Sequence, residues 1–378
     1  MKIAYVTTWD ATDIREWSGT VYHIAEALKM QNADLQYLDK LPVRPTLFSN
    51  LRKKFYSRVF GKQIHLEVES SVLKYNAKRI LSQLQPDTDV IFSPSSLQIA
   101  YINSDKFKVF YTDAVFASLV NRMPWMSNLA AFQIKEWDEL EKRALQTSDL
   151  ALYASDWAAQ NAIQYYQVDP DKVKVVPFGA NIPRPYSEEE IKKVIDSRPQ
   201  DICRLIFVGV EWERKGGDFA IKVVQRLHEK KIPVHLDIVG IREELPPLPS
   251  YITNHGFISK STPEGIQRLH ELMSNAHFFL LPTRFDAYGI VFTEASAYGL
   301  PSLAPKTGGV TTVVLDNRNG MTFDLSADPE EYADYIAHLF SNRESYRRLA
   351  LSSYNEYSTR LNWNTAGETI MNSIKERI

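Results

Sequence analysis

Residues 282–295 read Pro-Thr-Arg-Phe-Asp-Ala-Tyr-Gly-Ile-Val-Phe-Thr-Glu-Ala, directly after the apolar run His277–Leu281. The apolar run predicts a buried strand, and the residues up to Tyr298 predict a loop followed by a helix. Helix N-termini bind phosphate because they carry unpaired amides and the positive end of the helix dipole. Asp286 and Glu294 lie eight residues apart around this helix start. A phosphate site flanked by two carboxylates that accept bonds from hydroxyl groups predicts a nucleotide-sugar ligand.

Composition places the chain among ordinary globular proteins. It has 378 residues, of which 44% are hydrophobic and 24% charged, and this length predicts two or three domains. The formal net charge of −2 argues against general nucleic-acid binding. The single cysteine, Cys203, excludes an internal disulfide and predicts a reducing, cytoplasmic location. No apolar run reaches the roughly 18 residues that a membrane span needs, and Met1–Val6 is expected to be a first strand rather than a signal peptide.

Strands and helices are predicted to alternate along both halves of the chain. A strand at Ile3–Thr7, a loop with Gly19 and an amphipathic helix form the opening unit of a doubly wound α/β domain. Ser18 is either the N-cap of that helix or part of a loop in which Gly19 lets a ligand approach. The polar, proline-containing segment Asn181–Gln200 is the expected linker, and a second alternation begins at Arg204–Val208. Two such halves predict parallel sheets that face a central cleft.

The segment Leu41–Leu66 differs from the rest because it is basic and contains no acidic residue. Its basic residues are Arg44, Arg52, Lys53, Lys54, Arg58 and Lys62. Its apolar residues recur at roughly helical spacing and are Leu47, Leu51, Phe55, Val59 and Phe60. A basic amphipathic helix is typical of proteins that contact an anionic membrane surface or another anionic partner. The alternative is a surface helix that packs its apolar side onto its own domain.

Four motifs then follow one another in the second half of the chain. They are Val208–Asp218 with its Arg-Lys-Gly, Asp286–Glu294, Gly299-Leu300-Pro301 and Thr307–Val310. Together they resemble the retaining glycosyltransferases of family 4, which have two Rossmann-like domains in the GT-B arrangement. The resemblance is sharp over Arg204–Phe323 and looser over Met1–Asn181.

The resemblance implies two domains with different binding roles. An N-terminal acceptor domain is expected over residues 1–181, and a C-terminal nucleotide-sugar donor domain over residues 200–360. A crossover helix over about residues 361–378, which contains Trp363, is expected to belong to the N-terminal domain.

The resemblance also assigns donor-binding roles to particular residues. Arg214 and Lys215 match the pair that holds the donor diphosphate. A guanidinium can bind two phosphate oxygens at once, and an ammonium adds a mobile point charge. Glu294 matches the acid that accepts hydrogen bonds from the ribose hydroxyls. The remaining expected donor contacts are Gly19, Gly209, Phe257, Ile258, Tyr288, Gly289 and Ile290.

Two further acids are expected to be catalytic together with Arg214 and Lys215. Asp286 occupies a position where the family usually has Glu, so its shorter side chain implies a different or slightly shifted donor sugar; alternatively, it is the N-cap of its helix. Asp113, at the end of a strand, is expected to contact the donor sugar or to orient the acceptor, or else to be a simple loop or cap residue. Thr112 replaces the histidine that many members carry, so histidine-based activation of the acceptor is in doubt.

The implied reaction is retaining transfer from a nucleoside-diphosphate sugar, with a UDP-sugar favoured, to a hydroxyl of a glycan, lipid or small molecule. A front-face mechanism of this kind requires mainly positioning and charge stabilisation. No metal or other cofactor is expected, because no His/Cys cluster has the spacing of metal ligands. The alternatives are a nucleotide-sugar epimerase or phosphorylase of the same fold, and a domain that binds a nucleotide-sugar or a partner without turnover.

Overall fold

The structure, a computed structural model, describes residues 1–378. The chain divides into two compact units. Unit 1 comprises Met1–Pro177 and Ala366–Ile378, and unit 2 comprises Phe178–Thr365. Each unit contains one six-stranded sheet in which every strand pairing is parallel. Two α/β units with parallel sheets agree with the predicted fold class.

Unit 1 builds its sheet from strands that are mostly buried. The strands are β1 Lys2–Val6, β2 Asp34–Leu38, β3 Val90–Ser93, β4 Phe107–Thr112, β5 Leu150–Tyr153 and β6 Val173–Val175. The helices are α1 Thr20–Met30, α2 Leu47–Phe60, α3 Ser70–Gln83, α4 Ser96–Ile99, α5 Phe116–Leu119, α6 Ala131–Thr147 and α7 Asp156–Tyr166. The sheet order is β2-β1-β3-β4-β5-β6. All residues of β3 and β5 are buried, as expected for parallel strands that are covered on both faces.

Strand β2 is not among the strands expected from the sequence. It lies at the edge of the sheet and pairs with β1, with Lys2 opposite Asp34. Only Leu38 of its five residues is fully buried. An edge position explains why its sequence lacks the continuous apolar run that marks the central strands.

Unit 2 repeats the same plan with a sheet of order β12-β11-β10-β7-β8-β9. Its strands are β7 Cys203–Val208, β8 Val234–Val239, β9 Ile252–Asn254, β10 Phe278–Leu280, β11 Ser302–Pro305 and β12 Gly320–Phe323. Its helices are α8 Glu188–Ser197, α9 Trp212–Lys215, α10 Gly217–Glu229, α11 Pro263–Asn275, α12 Ile290–Ala297, α13 Val310–Val313, α14 Pro329–Ser341, α15 Arg343–Thr359 and α16 Trp363–Lys375. Helix α16 begins in unit 2, and its residues from Ala366 onward belong to unit 1. None of the helices in either unit combines the length and the apolar character that crossing a bilayer requires.

The segment Asn181–Gln200, expected to be a linker, is instead part of unit 2 and contains α8. Ser187 caps this helix and forms a reciprocal capping box with Glu190. Ile191 and Ile195 are buried on its inner side. The apolar residues that recur once per turn within a polar sequence therefore pack as an amphipathic helix.

Candidate active site

Two loops meet at the carboxyl edge of the sheet in unit 2. Strands β7 and β10 are parallel neighbours, so the segments that follow them emerge at the same edge. The loop after β10 is held to the end of α9 by backbone contacts. The Arg284 N–H donates to the Arg214 carbonyl oxygen at 2.7 Å, and the Thr283 hydroxyl donates to the same oxygen at 3.1 Å. These contacts place the side chains of Arg214, Lys215 and Asp286 together.

Asp286 is 7% exposed and forms the centre of this arrangement. Lys215 Nζ donates to both of its carboxylate oxygens at 2.8 Å, and Arg214 Nη1 donates to Oδ1 at 3.1 Å. Burial alone would raise the pKa of Asp286, but the charges of Lys215 and Arg214 outweigh burial and hold the pKa below its ordinary value. The carboxylate is therefore ionised at neutral pH, and its ion pairs join the two loops.

Arg214 also contacts a second carboxylate. Its Nε donates to Glu211 Oε2 at 2.6 Å, and its Nη1 donates to the Phe285 carbonyl oxygen at 2.8 Å. Burial would lower the pKa of Arg214, but Glu211 and Asp286 raise it above its ordinary value. Two cations, Arg214 and Lys215, thus balance the two anions Glu211 and Asp286. An incoming anionic ligand would compete with these carboxylates for the same donors.

The alternative interpretation of Asp286 as a helix N-cap is wrong. Gly289 occupies the N-cap position of α12, with φ of 81° and ψ of 62°, and no side chain caps that helix. Asp286 lies three residues before Gly289, and its side-chain oxygens accept bonds from Lys215 and Arg214. The ion cluster that it forms with both predicted diphosphate-binding residues was not expected from the sequence.

The predicted donor contacts Tyr288, Gly289 and Ile290 surround the start of α12. Tyr288 is buried, and its hydroxyl donates to the Phe178 carbonyl oxygen at 2.8 Å within unit 2. Gly289 and Ile290 are partly exposed. The first amides of a helix have no partner within the helix, so this exposed end can donate hydrogen bonds to an anionic ligand.

Glu294, one turn into α12, is buried and has two unlike carboxylate oxygens. Its Oε2 accepts a 2.5 Å bond from Lys260 Nζ. Its Oε1 is buried and has no hydrogen-bond partner in the structure. Buried polar atoms without partners are rare, and here the free acceptor marks a place for a hydroxyl or other donor from a ligand. Lys260 is not among the residues expected from the sequence, where only its closeness to Phe257 and Ile258 pointed to it.

The loop after β9 carries the predicted donor contacts Phe257 and Ile258. Phe257 is 47% exposed, and the guanidinium of Arg242 lies 3.9 Å from the centre of its ring. Ile258 next to it is partly buried. Gly209 follows β7, and its N–H donates to the Val239 carbonyl oxygen of β8 at 2.9 Å. Arg242 was not predicted, because an arginine–aromatic contact between separate loops leaves no pattern in the sequence.

The two remaining predicted residues, Asp113 and Gly19, belong to unit 1. Asp113 directly follows β4 and is partly buried. Gly19 holds the N-cap position of α1, so the interpretation of Ser18 as that cap is wrong. Trp17, Ser18 and Gly19 have φ values of 45°, 57° and 90°. Consecutive left-handed residues are strained, and such strain is concentrated at ligand-binding segments.

The residues present offer no cluster with the chemistry of a metal site. Across residues 1–378, no group of three or more His, Cys, Asp or Glu side chains is placed to hold a metal ion. The cations at the ion cluster are Arg214 and Lys215.

A sequence family matches the part of the chain that carries this site. Residues 188–356 match the sequence model of the family described as "Glycosyl transferases group 1". This match supports a group 1 glycosyltransferase. This chain is 26% identical to D-inositol 3-phosphate glycosyltransferase of Xylanimonas cellulosilytica over 61% of its own length and 58% of that protein. The relative from Acidothermus cellulolyticus with the same name is 25% identical, over 69% of this chain and 62% of that protein. The chain thus spans less than two thirds of the length of these curated relatives.

Solved structures resemble this chain over its whole length. Sucrose-phosphate synthase from Thermosynechococcus elongatus aligns with a TM-score of 0.68 and 14% identity, covering 100% of this chain and 98% of that one. Anabaena HepE, solved in complex with UDP-glucose, aligns with a TM-score of 0.64 and 14% identity, covering both chains completely. At such identities the likeness shows the fold alone. It confirms the predicted GT-B class with two Rossmann-like domains.

Proposed function

We propose that this protein is a retaining glycosyltransferase of family 4 that moves a sugar from a nucleoside-diphosphate sugar to an acceptor hydroxyl. The observation that carries the proposal is the buried cluster of Arg214, Lys215 and Asp286 beside the exposed start of α12. Two cations and a helix N-terminus are suited to a diphosphate. The group 1 family match over residues 188–356 supports the same class of reaction.

Arg214 and Lys215 are the proposed diphosphate ligands. Negative charge grows on the leaving diphosphate as the bond from the anomeric carbon to the phosphate oxygen breaks, and fixed cations stabilise that charge. Asp286 and Glu211 hold these cations in position. This preorganisation lets the cations act without a large rearrangement when the donor arrives. We further assign Asp286 to the transferred sugar, as its place in the motif implies.

Glu294 is the proposed ribose ligand. Its unpaired Oε1 can accept a hydrogen bond from one ribose hydroxyl, and Oε2 can accept from a second one in exchange for Lys260. The amides of Gly289 and Ile290 are proposed to bind phosphate or sugar oxygens. Phe257 and Ile258 are proposed to lie against the nucleobase, and Gly209 beside the phosphates.

The proposed chemistry proceeds on one face of the sugar. The acceptor oxygen bonds to the anomeric carbon as the carbon–phosphate oxygen bond breaks, and the acceptor proton passes to the departing diphosphate. Asp113 is assigned to orient the acceptor hydroxyl and Gly19 to the donor phosphates, from the family resemblance and their positions after β4 and β1. Charge stabilisation by Arg214 and Lys215 leaves no step that needs a metal.

A UDP-sugar is the favoured donor. Anabaena HepE, which shares the fold, was solved with UDP-glucose, and this supports testing UDP-sugars first. The curated relatives are named for a D-inositol 3-phosphate acceptor, which makes phosphorylated polyols a reasonable first acceptor class beside glycans and lipids.

A thermal-shift panel of UDP-glucose, UDP-N-acetylglucosamine, GDP-mannose and ADP-glucose tests donor binding. A ligand at 100 times its dissociation constant adds about 2.7 kcal/mol of stability. At least one UDP-sugar should therefore raise the unfolding temperature, whereas free glucose should not. A panel without any shift would contradict the proposal.

Turnover is tested with Arg214→Ala and with Arg226→Ala as a matched control. Arg226 lies on α10, half-exposed, and pairs with Glu229. Loss of one preorganised group that stabilises developing charge lowers turnover about 100-fold or more. The wild-type protein should hydrolyse the donor slowly. The rate of this hydrolysis should be lower by about 100-fold or more in Arg214→Ala and unchanged in the control. Binding without any hydrolysis or transfer would indicate a binding domain, and release of an epimerised nucleotide-sugar would indicate an epimerase.

A further inference from the structure

Helix α2 presents its apolar side to water. Leu47, Phe48, Leu51, Phe55, Val59 and Phe60 are between 54% and 85% exposed. Ser49 is the only buried residue of the helix. The expectation that this helix packs its apolar side onto its own domain is therefore wrong. Apolar side chains of this size, gathered on one element, mark an interaction surface rather than ordinary surface residues.

The polar side of α2 faces the domain and explains this orientation. Arg52 Nη2 donates to the buried Glu69 at 2.7 Å, and its guanidinium lies 4.2 Å from the centre of the Phe132 ring. The Tyr56 ring lies 5.1 Å from the same Phe132 ring. Ser49, Arg52 and Tyr56 recur at helical spacing and so form one side of the helix. Phe48, Leu51, Phe55 and Val59 recur along a different side, which is left in water.

Basic side chains lie beside this apolar stripe. Lys53, Lys54 and Arg58 are exposed and form no ion pair in the structure. Leu41–Leu66 contains six basic residues and no acid, and of these only Arg52 is paired with a carboxylate. The surface therefore combines positive charge with exposed aromatic and aliphatic groups, the combination that suits an anionic bilayer surface.

A tryptophan lies beyond the C-terminal end of the helix. Asn128 Nδ2 donates to the Gly61 carbonyl oxygen at 2.7 Å, and Lys62 Nζ donates to Asn128 Oδ1 at 2.8 Å. In the same segment Trp125 is 45% exposed. Its carbonyl oxygen lies 2.9 Å from His65 Nε2. Tryptophan is enriched at the boundary between lipid and water, so Trp125 extends the surface in keeping with a membrane partner.

We propose that a docking face formed by α2 and Trp125 binds this protein to an anionic lipid surface. The apolar stripe enters the headgroup region, and Lys53, Lys54 and Arg58 contact the lipid phosphates. A second copy of the chain is a poorer occupant, because pairing two such faces would bring like charges together. The proposal is independent of the transferase activity, since none of the residues of the docking face belongs to the candidate active site.

Co-sedimentation of the 378-residue chain with lipid vesicles tests the docking face. The vesicles contain either phosphatidylcholine alone or phosphatidylcholine with phosphatidylglycerol. We expect binding to the phosphatidylglycerol vesicles, weak binding to phosphatidylcholine alone, and release at high salt because salt screens exposed charges. Absence of binding to the anionic vesicles would overturn the proposal.

Two pairs of substitutions separate the contributions of charge and apolar contact. Lys54→Gln with Arg58→Gln should lower partitioning into anionic vesicles roughly 30-fold. Phe48→Ser with Leu51→Ser should lower it about tenfold or more and leave the unfolding temperature unchanged, because both side chains are already in water. Lys78→Gln with Arg79→Gln, two exposed residues of α3, is the charge control and should bind like wild type.

The controls also decide between occupants. An equal loss in the Lys78/Arg79 control would mean that overall charge, rather than this face, drives binding. Sedimentation velocity without lipid tests whether the protein dimerises through the same face. Dimers of the wild-type protein that become monomers in Phe48→Ser with Leu51→Ser would assign the face to a second copy and overturn the membrane proposal.

Discussion

Asp286 joins the two loops of the candidate site, because Lys215 and Arg214 both donate to its carboxylate. The sequence named Asp286, Arg214 and Lys215 as candidate site residues, and they lie together in the structure because they follow neighbouring parallel strands. It did not predict that both cations pair with Asp286, since ion pairing depends on side-chain positions that spacing does not determine. The partner of Glu294, Lys260, was unpredictable for the same reason.

Replacing Asp286 by Asn should weaken the fold of unit 2. Removing one partner of a buried ion pair costs about 3–5 kcal/mol, because the other charge is left uncompensated. We expect Asp286→Asn to lower the free energy of unfolding by several times more than Asp196→Asn. Asp196 pairs with Arg347 in a half-exposed bridge, where the loss is about 1 kcal/mol or less. Urea unfolding of both variants measures the difference.

The same variant gives a second readout. Pyrophosphate should stabilise Asp286→Asn more than wild type, because the anion replaces the missing carboxylate beside Lys215 and Arg214. Equal stabilisation of the two proteins would show that the anion binds elsewhere.

Glu141 in unit 1 predicts a pH dependence of stability. It is buried on α6, its Oε2 accepts a 2.9 Å bond from the Ser96 hydroxyl, and its Oε1 has no partner. Burial raises its pKa from 4.5 to about 7. Between these two values the native state keeps a proton that the unfolded chain has lost. This contribution to stability is therefore complete below pH 4.5 and is lost as the pH rises through about 7.

Glu141→Gln should remove that dependence. The difference in unfolding free energy between variant and wild type should grow with pH by roughly 1.4 kcal/mol per unit across the window, in favour of the variant. Urea unfolding at several pH values from 5 to about 8 measures it. Glu139→Gln, an exposed change on the same helix, should show no such trend. A parallel response of the two variants would contradict the assignment.

At the scale of elements, helix α8 shows that the composition of a segment can favour a linker where the local sequence favours a helix. The spacing from Ser187 to Glu190 is a capping box, yet the three prolines of Asn181–Gln200 favoured a linker. Helix α2 shows the opposite case, in which the sequence predicted the helix but not its orientation. Its periodicity predicted a helix, but only its contacts with Phe132 and Glu69 decide which side faces water.

Ser187→Ala should lower the free energy of unfolding by about 1 kcal/mol, because it removes the cap of α8. Ser71→Ala, an exposed substitution in the first turn of α3, should change it by less than about 0.5 kcal/mol. Chemical denaturation of the two variants measures the difference. A Ser187→Ala protein as stable as wild type would mean that tertiary contacts alone hold this helix.

At the scale of the whole molecule, the alternation of strands and helices was enough to predict two α/β units. Central strands such as β3 and β5 carry continuous apolar runs because both of their faces are covered. Such runs can be recognised from the sequence alone. The edge strand β2 lacks such a run and was missed. Boundaries between units depend on which contacts form, and these are not encoded in local composition.

The proposed transferase activity should persist in EDTA. In the proposed mechanism, Arg214 and Lys215 supply the positive charge that a divalent ion would otherwise provide at the diphosphate. We expect equal initial rates of donor turnover with EDTA and with added Mg²⁺ or Mn²⁺. A rate that disappears in EDTA and returns with Mn²⁺ would show that a metal takes part.

Gly308 determines how far the candidate site can vary. A Cβ at this position would lie 1.9 Å from the Asp286 carbonyl oxygen, and its φ is 51°. Gly61, at the end of α2, has a similar φ of 61°, but a Cβ there would have no other atom within 4 Å. In a saturation library selected for activity, Gly61 should admit Asn, which tolerates left-handed backbone, whereas position 308 should admit no second amino acid. A new donor preference must therefore arise from substitutions at positions other than Gly308.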